Sequence, residues 1–201
     1  MLQPRLMITA AALVLAALAA GCTTTMNTTL ATTPTDAAGL GALTAEERRD
    51  LRIGHEDAIR RLEETTPGAR ELVSKAAGVL VFPSTISGGL LVGGEFGNGL
   101  LKIKNAFGGH YRIAAGSLGL QVGAQSRALV FLFMTQEALD GFRRSNGWSV
   151  GADASLAVLK VGATGAIDIN VAQTPTVAFV MTNAGLMANL SFKGTRITPI
   201  E

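Results

Sequence analysis

The hydrophobic pattern changes period once along this chain, near Val79, and that change limits the fold more than any other feature. Before it, apolar residues recur at helical spacing; after it, they alternate or run in β-branched blocks broken by glycine. Helices written first and strands after them predict an α+β protein rather than the strand-helix alternation of a parallel α/β sheet. Thr44 and Glu47 have the spacing of a capping box, so a first helix starts there. Leu51, His55, Ala58, Ile59 and Leu62 form its apolar stripe, which makes His55 a core or edge residue rather than a ligand. The other faces carry Arg48, Arg49, Arg52, Arg60 and Arg61 among Glu46, Glu47, Asp50, Glu56, Asp57, Glu63 and Glu64. Seven acids against five arginines describe a solvated face laced with ion pairs, not a basic membrane-docking surface. Pro67 reads as the first residue of a second helix that carries Leu72, Val73 and Ala76 and ends near Gly78.

The strand pattern opens with Val79–Phe82, stopped by Pro83. Gly89–Lys104, Tyr111–Ala115, Gly116–Gly123 and Ala128–Met134 follow. A third helix is expected over Gln136–Ser145, capped by Thr135 and presenting Leu139 and Phe142. Ser149–Val158, Val161–Val171 and Thr176–Thr182 complete the sheet, the last pairing with Leu186–Ile197 through the turn Asn183–Gly185. The expected architecture is therefore N-terminal helices followed by a Gly-rich, mostly antiparallel sheet closing toward a barrel or sandwich, with one inserted helix.

Glycine within strands costs stability unless something uses the missing side chain. Gly89, Gly93, Gly97 and Gly99 share one parity, as do Gly119 and Gly123, and same-parity residues share a face. Such a face permits sharp coiling of the sheet and close packing, which is the favoured reading. The other reading is a groove for a lipid tail.

The N-terminus reads differently. Arg5 precedes an apolar run from Leu6 to Gly21 that ends at Cys22, the single cysteine of the chain. A short positive region, an apolar stretch of about 7 to 15 residues and small residues before the cut make a secretory signal. The run is shorter than the roughly 20 apolar residues of a spanning helix. With Ala19, Ala20 and Gly21 ahead of the cysteine, the segment resembles a bacterial lipoprotein signal. That resemblance implies cleavage after residue 21, acylation of Cys22 by palmitate-like chains, and, with Thr23 rather than Asp next, sorting to the outer membrane facing the periplasm. Several acyl chains on one residue make a durable anchor, because each buried methylene adds about 0.8 kcal/mol. Residues 22–43 are then the acylated cysteine and a Thr/Ala-rich tether without periodicity, and residues 44–201 are the folded domain.

Without residues 1–21, 16 Lys and Arg remain against 15 Asp and Glu, a near-neutral balance that points to no nucleic acid. Two distant histidines and one cysteine make no metal cluster, so neither a metal nor another cofactor is expected. No Gly-x-Ser-x-Gly elbow occurs beside His110. Gly94–Gly99 lacks the order of a dinucleotide fingerprint and the lysine of a phosphate loop. Glu95 and Asp153 as paired acids are a poor catalytic signal. An enzyme is not expected.

Five strings carry a further resemblance: Ala77–Pro83, Gly89–Gly94, Gly116–Gln125, Gly151–Ala157 and Gly185–Gly194. Their joint order and spacing over Pro67–Ile200 resemble SYLF lipid-binding domains. The resemblance implies phospholipid binding. In an envelope protein an anionic phospholipid or lipopolysaccharide would replace the phosphoinositides preferred by eukaryotic members, and the actin binding of some of those members is not carried over. A headgroup needs cations. Lys102 and Lys104 alternate with Leu101 and Ile103, and a turn near Gly108–Gly109 would bring Arg112 beside them. These three are the headgroup candidates, with Arg127, Lys160 and Lys193 as scattered alternatives. The competing function is a non-catalytic structural or protein-interaction lipoprotein of the cell envelope.

Overall fold

A computed structural model describes residues 41–89, 92–118, 125–150, 156–158, 174–182, 185–186, 192 and 194–201. Thr44 caps helix α1 (Ala45–Thr65): its hydroxyl oxygen accepts from the Glu47 N–H at 3.2 Å, and its own N–H donates to the Glu47 carboxylate at 2.7 Å. The Thr44 N–H, and then its hydroxyl, hold the Glu47 carboxyl below the ordinary carboxylate range. Helix α2 (Ala69–Lys75) starts at Ala69 rather than Pro67, because Gly68 takes a left-handed conformation, φ 86°, as its N-cap.

The strands are β1 (Gly78–Gly89), β2 (Val92–Ile103), β3 (Ala106–Leu118) and β4 (Gln125–Phe133), then β5 (Trp148–Ser149), β6 (Leu156–Val158), β7 (Thr176–Thr182), β8 (Gly185–Leu186) and β9 (Thr195–Ile200). Helix α3 (Gln136–Arg144) is inserted between β4 and β5, and the Thr135 hydroxyl accepts from the Ala138 N–H at its start. Among the described residues the sheet order is β5-β9-β3-β2-β1-β4-β7-β6, with β8 on β7; only the β6–β7 pair is parallel.

Three sequence expectations are corrected here. Pro83 does not end a strand. Phe82 and Pro83 together oppose Gly99, a β-bulge that removes the proline from the ladder and lets β1 continue. Tyr111–Ala115 and the start of Gly116–Gly123 belong to one strand, β3; residues 119–123 lie outside the described residues. Leu186 and Ile197 do not share a strand: β8 pairs with β7, whereas Ile197 lies in β9 between β3 and β5. The expected strand over Val161–Val171 also lies outside the described residues.

Both faces of the central strands are covered. In β4, Leu129, Phe131 and Phe133 enter one core with Leu139 and Phe142 of α3, while Ala128, Val130 and Leu132 enter a second with Ala58, Leu62 and Leu72 of α1 and α2. Two-sided burial is why β4 reads as an unbroken apolar run. Trp148 shows the curvature. Its strand is separated from β4 by β9, β3, β2 and β1, which in a flat sheet would mean about 24 Å. Yet its indole lies 6.2 Å from Phe131 and 6.1 Å from Phe133, centroid to centroid. The sheet is curled into a half-barrel, with α3 plugging the inside and α1 and α2 outside.

Two glycines serve this packing. A Cβ on Gly99 would lie 2.5 Å from the Phe82 ring, and one on Gly54 in α1 would lie 2.6 Å from Pro83. At Gly99 the bare face is filled by Phe82, so close packing rather than an open tail groove accounts for it.

Candidate functional site

Where α1 and α2 meet the β2–β3 hairpin, they line an open cleft of about 630 Å³. Ile59 of α1, Val73 and the C-cap Ala76 of α2, and Val79 of β1 supply its apolar wall, and Lys102, Lys104 and Arg60 bring cations to it, with Glu56 and Glu63 as counter-charges. The hairpin turn is Lys104–Asn105, not Gly108–Gly109. Ile103 pairs with Ala106, and both turn residues have positive φ, 48° and 68°, as a two-residue type I′ turn requires.

The structure brings two of the three headgroup candidates together and separates the third. Lys102 and Lys104 both line the cavity, Lys104 exposed and Lys102 donating to the Glu56 carboxylate at 3.1 Å. Arg112 pairs with Asn98, four residues back along β2 from Lys102, which is about 13 Å. It is buried, its Nε donates to Asn98 Oδ1 at 3.3 Å, its NH2 group donates to the Gly41 carbonyl at 3.2 Å, and its guanidinium lies 5.5 Å from the Phe96 ring centroid. It ties the start of the domain to the sheet and cannot serve the lysines. Cys22, Lys160 and Lys193 lie outside the described residues.

His55, buried at 4% exposure, also borders the cavity. Burial first, and then the neighbouring Lys102 ammonium, push its pKa down to about 4 against the opposing pull of the Val79 carbonyl and Glu56. The ring is therefore neutral at pH 7, with Nε2 donating to the Val79 carbonyl at 3.5 Å.

Arg127, one of the scattered alternatives, is not available to a headgroup. On the inner face of the half-barrel its Nε and NH2 groups meet Glu95 Oε1 and Oε2 at 2.8 and 2.7 Å, and the Thr85 hydroxyl donates to the same carboxylate at 2.7 Å. Glu95 is thus a salt-bridge acceptor rather than one of two paired acids; Asp153 lies outside the described residues. The pair had a sequence signal that went unused. Glu95 shares parity with Gly97, Gly99 and Leu101, and Arg127 with Leu129 and Phe131, which puts opposite charges on an otherwise apolar face.

Residues 114–200 match the family described as Ysc84, Las17-binding protein actin regulator. That family model is the SYLF domain's, and the match covers less than half of the chain. The match begins at Ala114 in the middle of β3 and ends with β9. It takes in Phe131, Phe133, Phe142 and Trp148, the aromatic residues that pack inside the curl. Lys102, Lys104, Arg112, α1 and α2 precede it. No curated protein matches the chain.

Proposed function

We propose that this protein is a lipid-anchored, non-catalytic lipoprotein of the bacterial envelope, held in the outer membrane through Cys22, whose SYLF-like domain, residues 44–201, binds an anionic phospholipid. The SYLF match over residues 114–200 supports the lipid-binding part, and the apolar run ending at Cys22 supports the anchor. The observation that carries this reading is the cavity, whose apolar wall and paired lysines suit an amphipathic anion: phosphate at Lys104 and Lys102, hydrocarbon against Ile59, Val73 and Val79. A phosphate that displaced Glu56 from Lys102 would exchange one anionic partner for another, so Lys102 is held ready rather than spent. Each cation near an anionic surface contributes about 1 kcal/mol, which makes the lysines a modest site that the anchor keeps supplied. Lipopolysaccharide offers the same phosphate chemistry and is the other ligand this site would take.

The chain carrying Cys22→Ser, titrated with short-chain phosphatidylglycerol and followed by nuclear magnetic resonance, tests the binding. Shifts at Val73, Val79, Lys102 and Lys104, absent with phosphatidylcholine, are expected; unchanged spectra would remove the cavity from the account. An N-terminal peptide mass without acyl chains on Cys22 would remove the anchor.

A further inference from the structure

The outer face of the sheet carries a row of side chains that no helix covers. Ile86 on β1, Phe96 on β2, Ala114 on β3 and Arg196 on β9 are successive cross-strand partners, so they stand side by side on one face. Ile86 is 60% exposed and Phe96 36%, and both Ala114 and Arg196 are exposed. An exposed isoleucine directly opposite an exposed phenylalanine is a contiguous apolar surface, not a scatter of single residues.

The start of the domain lies beside this row. The Arg112 guanidinium lies over the Phe96 ring and holds the Gly41 carbonyl, so Gly41, the first described residue, is held next to Phe96. Cys22 is only 19 residues before Gly41, and a chain of that length spans at most about 65 Å. The geometry points to this row as the face that docks on the bilayer. Ile86 and Phe96 enter the interfacial layer of the leaflet that holds the acyl chains, and Arg196 reaches its phosphates.

This assignment rests on the reading of Cys22 as the acylated anchor. The tether supplies what two side chains cannot, because a surface confined within tens of ångströms meets the bilayer at high effective concentration, and weak apolar contact then suffices to orient the domain. The aromatic ring and the flanking guanidinium suit the interface, where one end of a group is apolar and the other wet. Phe96 lies six residues from Lys102 along β2, about 20 Å, so docking and headgroup capture are separable.

The test uses the chain from residue 22 with Cys22→Ser and a histidine tag ahead of it, held on phosphatidylethanolamine–phosphatidylglycerol vesicles that contain a nickel-chelating lipid. The tether then keeps its length whether or not Cys22 is acylated in the cell. A polarity-sensitive dye is attached through Ile86→Cys, and in a control protein through Glu137→Cys on the exposed side of α3. The expected result is a blue-shifted dye at position 86, quenched by doxyl-labelled lipid several-fold more than the dye at 137. Equal quenching at the two positions overturns the proposal. So does a shielded dye at 86 without vesicles in a protein that is dimeric by light scattering, which would put a second copy on the row. Acyl mass on Cys22 judges the anchor separately, so the failure of one is not mistaken for the failure of the other.

Discussion

His55 fills the α1–sheet interface as a neutral ring, and its folded pKa of about 4 lies below the free value of 6.5. The unfolded chain therefore binds the extra proton between those values. Stability is complete above pH 6.5 and falls as the pH drops toward 4, with a limit of about 3 kcal/mol. His110, also lowered, by burial first and then by Arg48 and Arg52, acts in the same direction. His55→Gln keeps an N–H for the Val79 carbonyl and removes the titration. Urea denaturation followed by fluorescence of the buried Trp148 is predicted to show a shallower loss of stability with acid in this variant; an unchanged slope would contradict the assignment. The Glu95–Arg127 pair makes a different kind of prediction. Glu95→Ala leaves a buried guanidinium unpaired and costs about 3 to 5 kcal/mol, whereas Glu95→Leu with Arg127→Leu costs less than either single change. A double-mutant cycle measures this, and additive losses would mean that the charges do not couple.

Elements were legible in the sequence where one local signal decided them and obscure where packing did. The capping box at Thr44, the Thr135 cap and the period of α1 each act within a few residues, and all three are found as expected. The bulge at Phe82–Pro83 is not local. It needs Gly99 on the opposite strand, and it reverses the parity of β1, so that Thr85 rather than Ser84 faces inward beside Glu95. The β2–β3 turn was misplaced for a related reason. Gly108–Gly109 is the stronger turn signal by composition, but the ladder between Ile103 and Ala106 puts Lys104 and Asn105 in the left-handed region instead. A lysine there is strained. Lys104→Gly is predicted to raise stability by about 1 kcal/mol in thermal denaturation while weakening binding to anionic vesicles. A variant that gains neither stability nor loses binding would separate Lys104 from both roles.

On the scale of the whole molecule, an α+β protein with helices ahead of a mostly antiparallel sheet followed from the change of period, and the curl followed from the density of glycine. The candidate site was half legible. Alternation brought Lys102 and Lys104 together, but nothing in the order of residues told that α1 would reach Lys102 through Glu56 or that Arg112 would be spent on Gly41 and Phe96. The Lys102–Glu56 and Arg112–Gly41 contacts join residues 46 and 71 positions apart, and only the packing of α1 and the residues just before it against the sheet creates them. The assembled domain is expected to bind anionic membrane without its anchor. The most direct measurement is flotation of the Cys22→Ser chain with vesicles of phosphatidylcholine alone and of phosphatidylcholine doped with phosphatidylglycerol, at low and high salt. Flotation with the anionic vesicles, reduced by salt and, in binding affinity, about thirtyfold by Lys102→Ala with Lys104→Ala, is the predicted result. Failure to float with either vesicle would contradict phospholipid binding by this domain and leave a tethered interaction module.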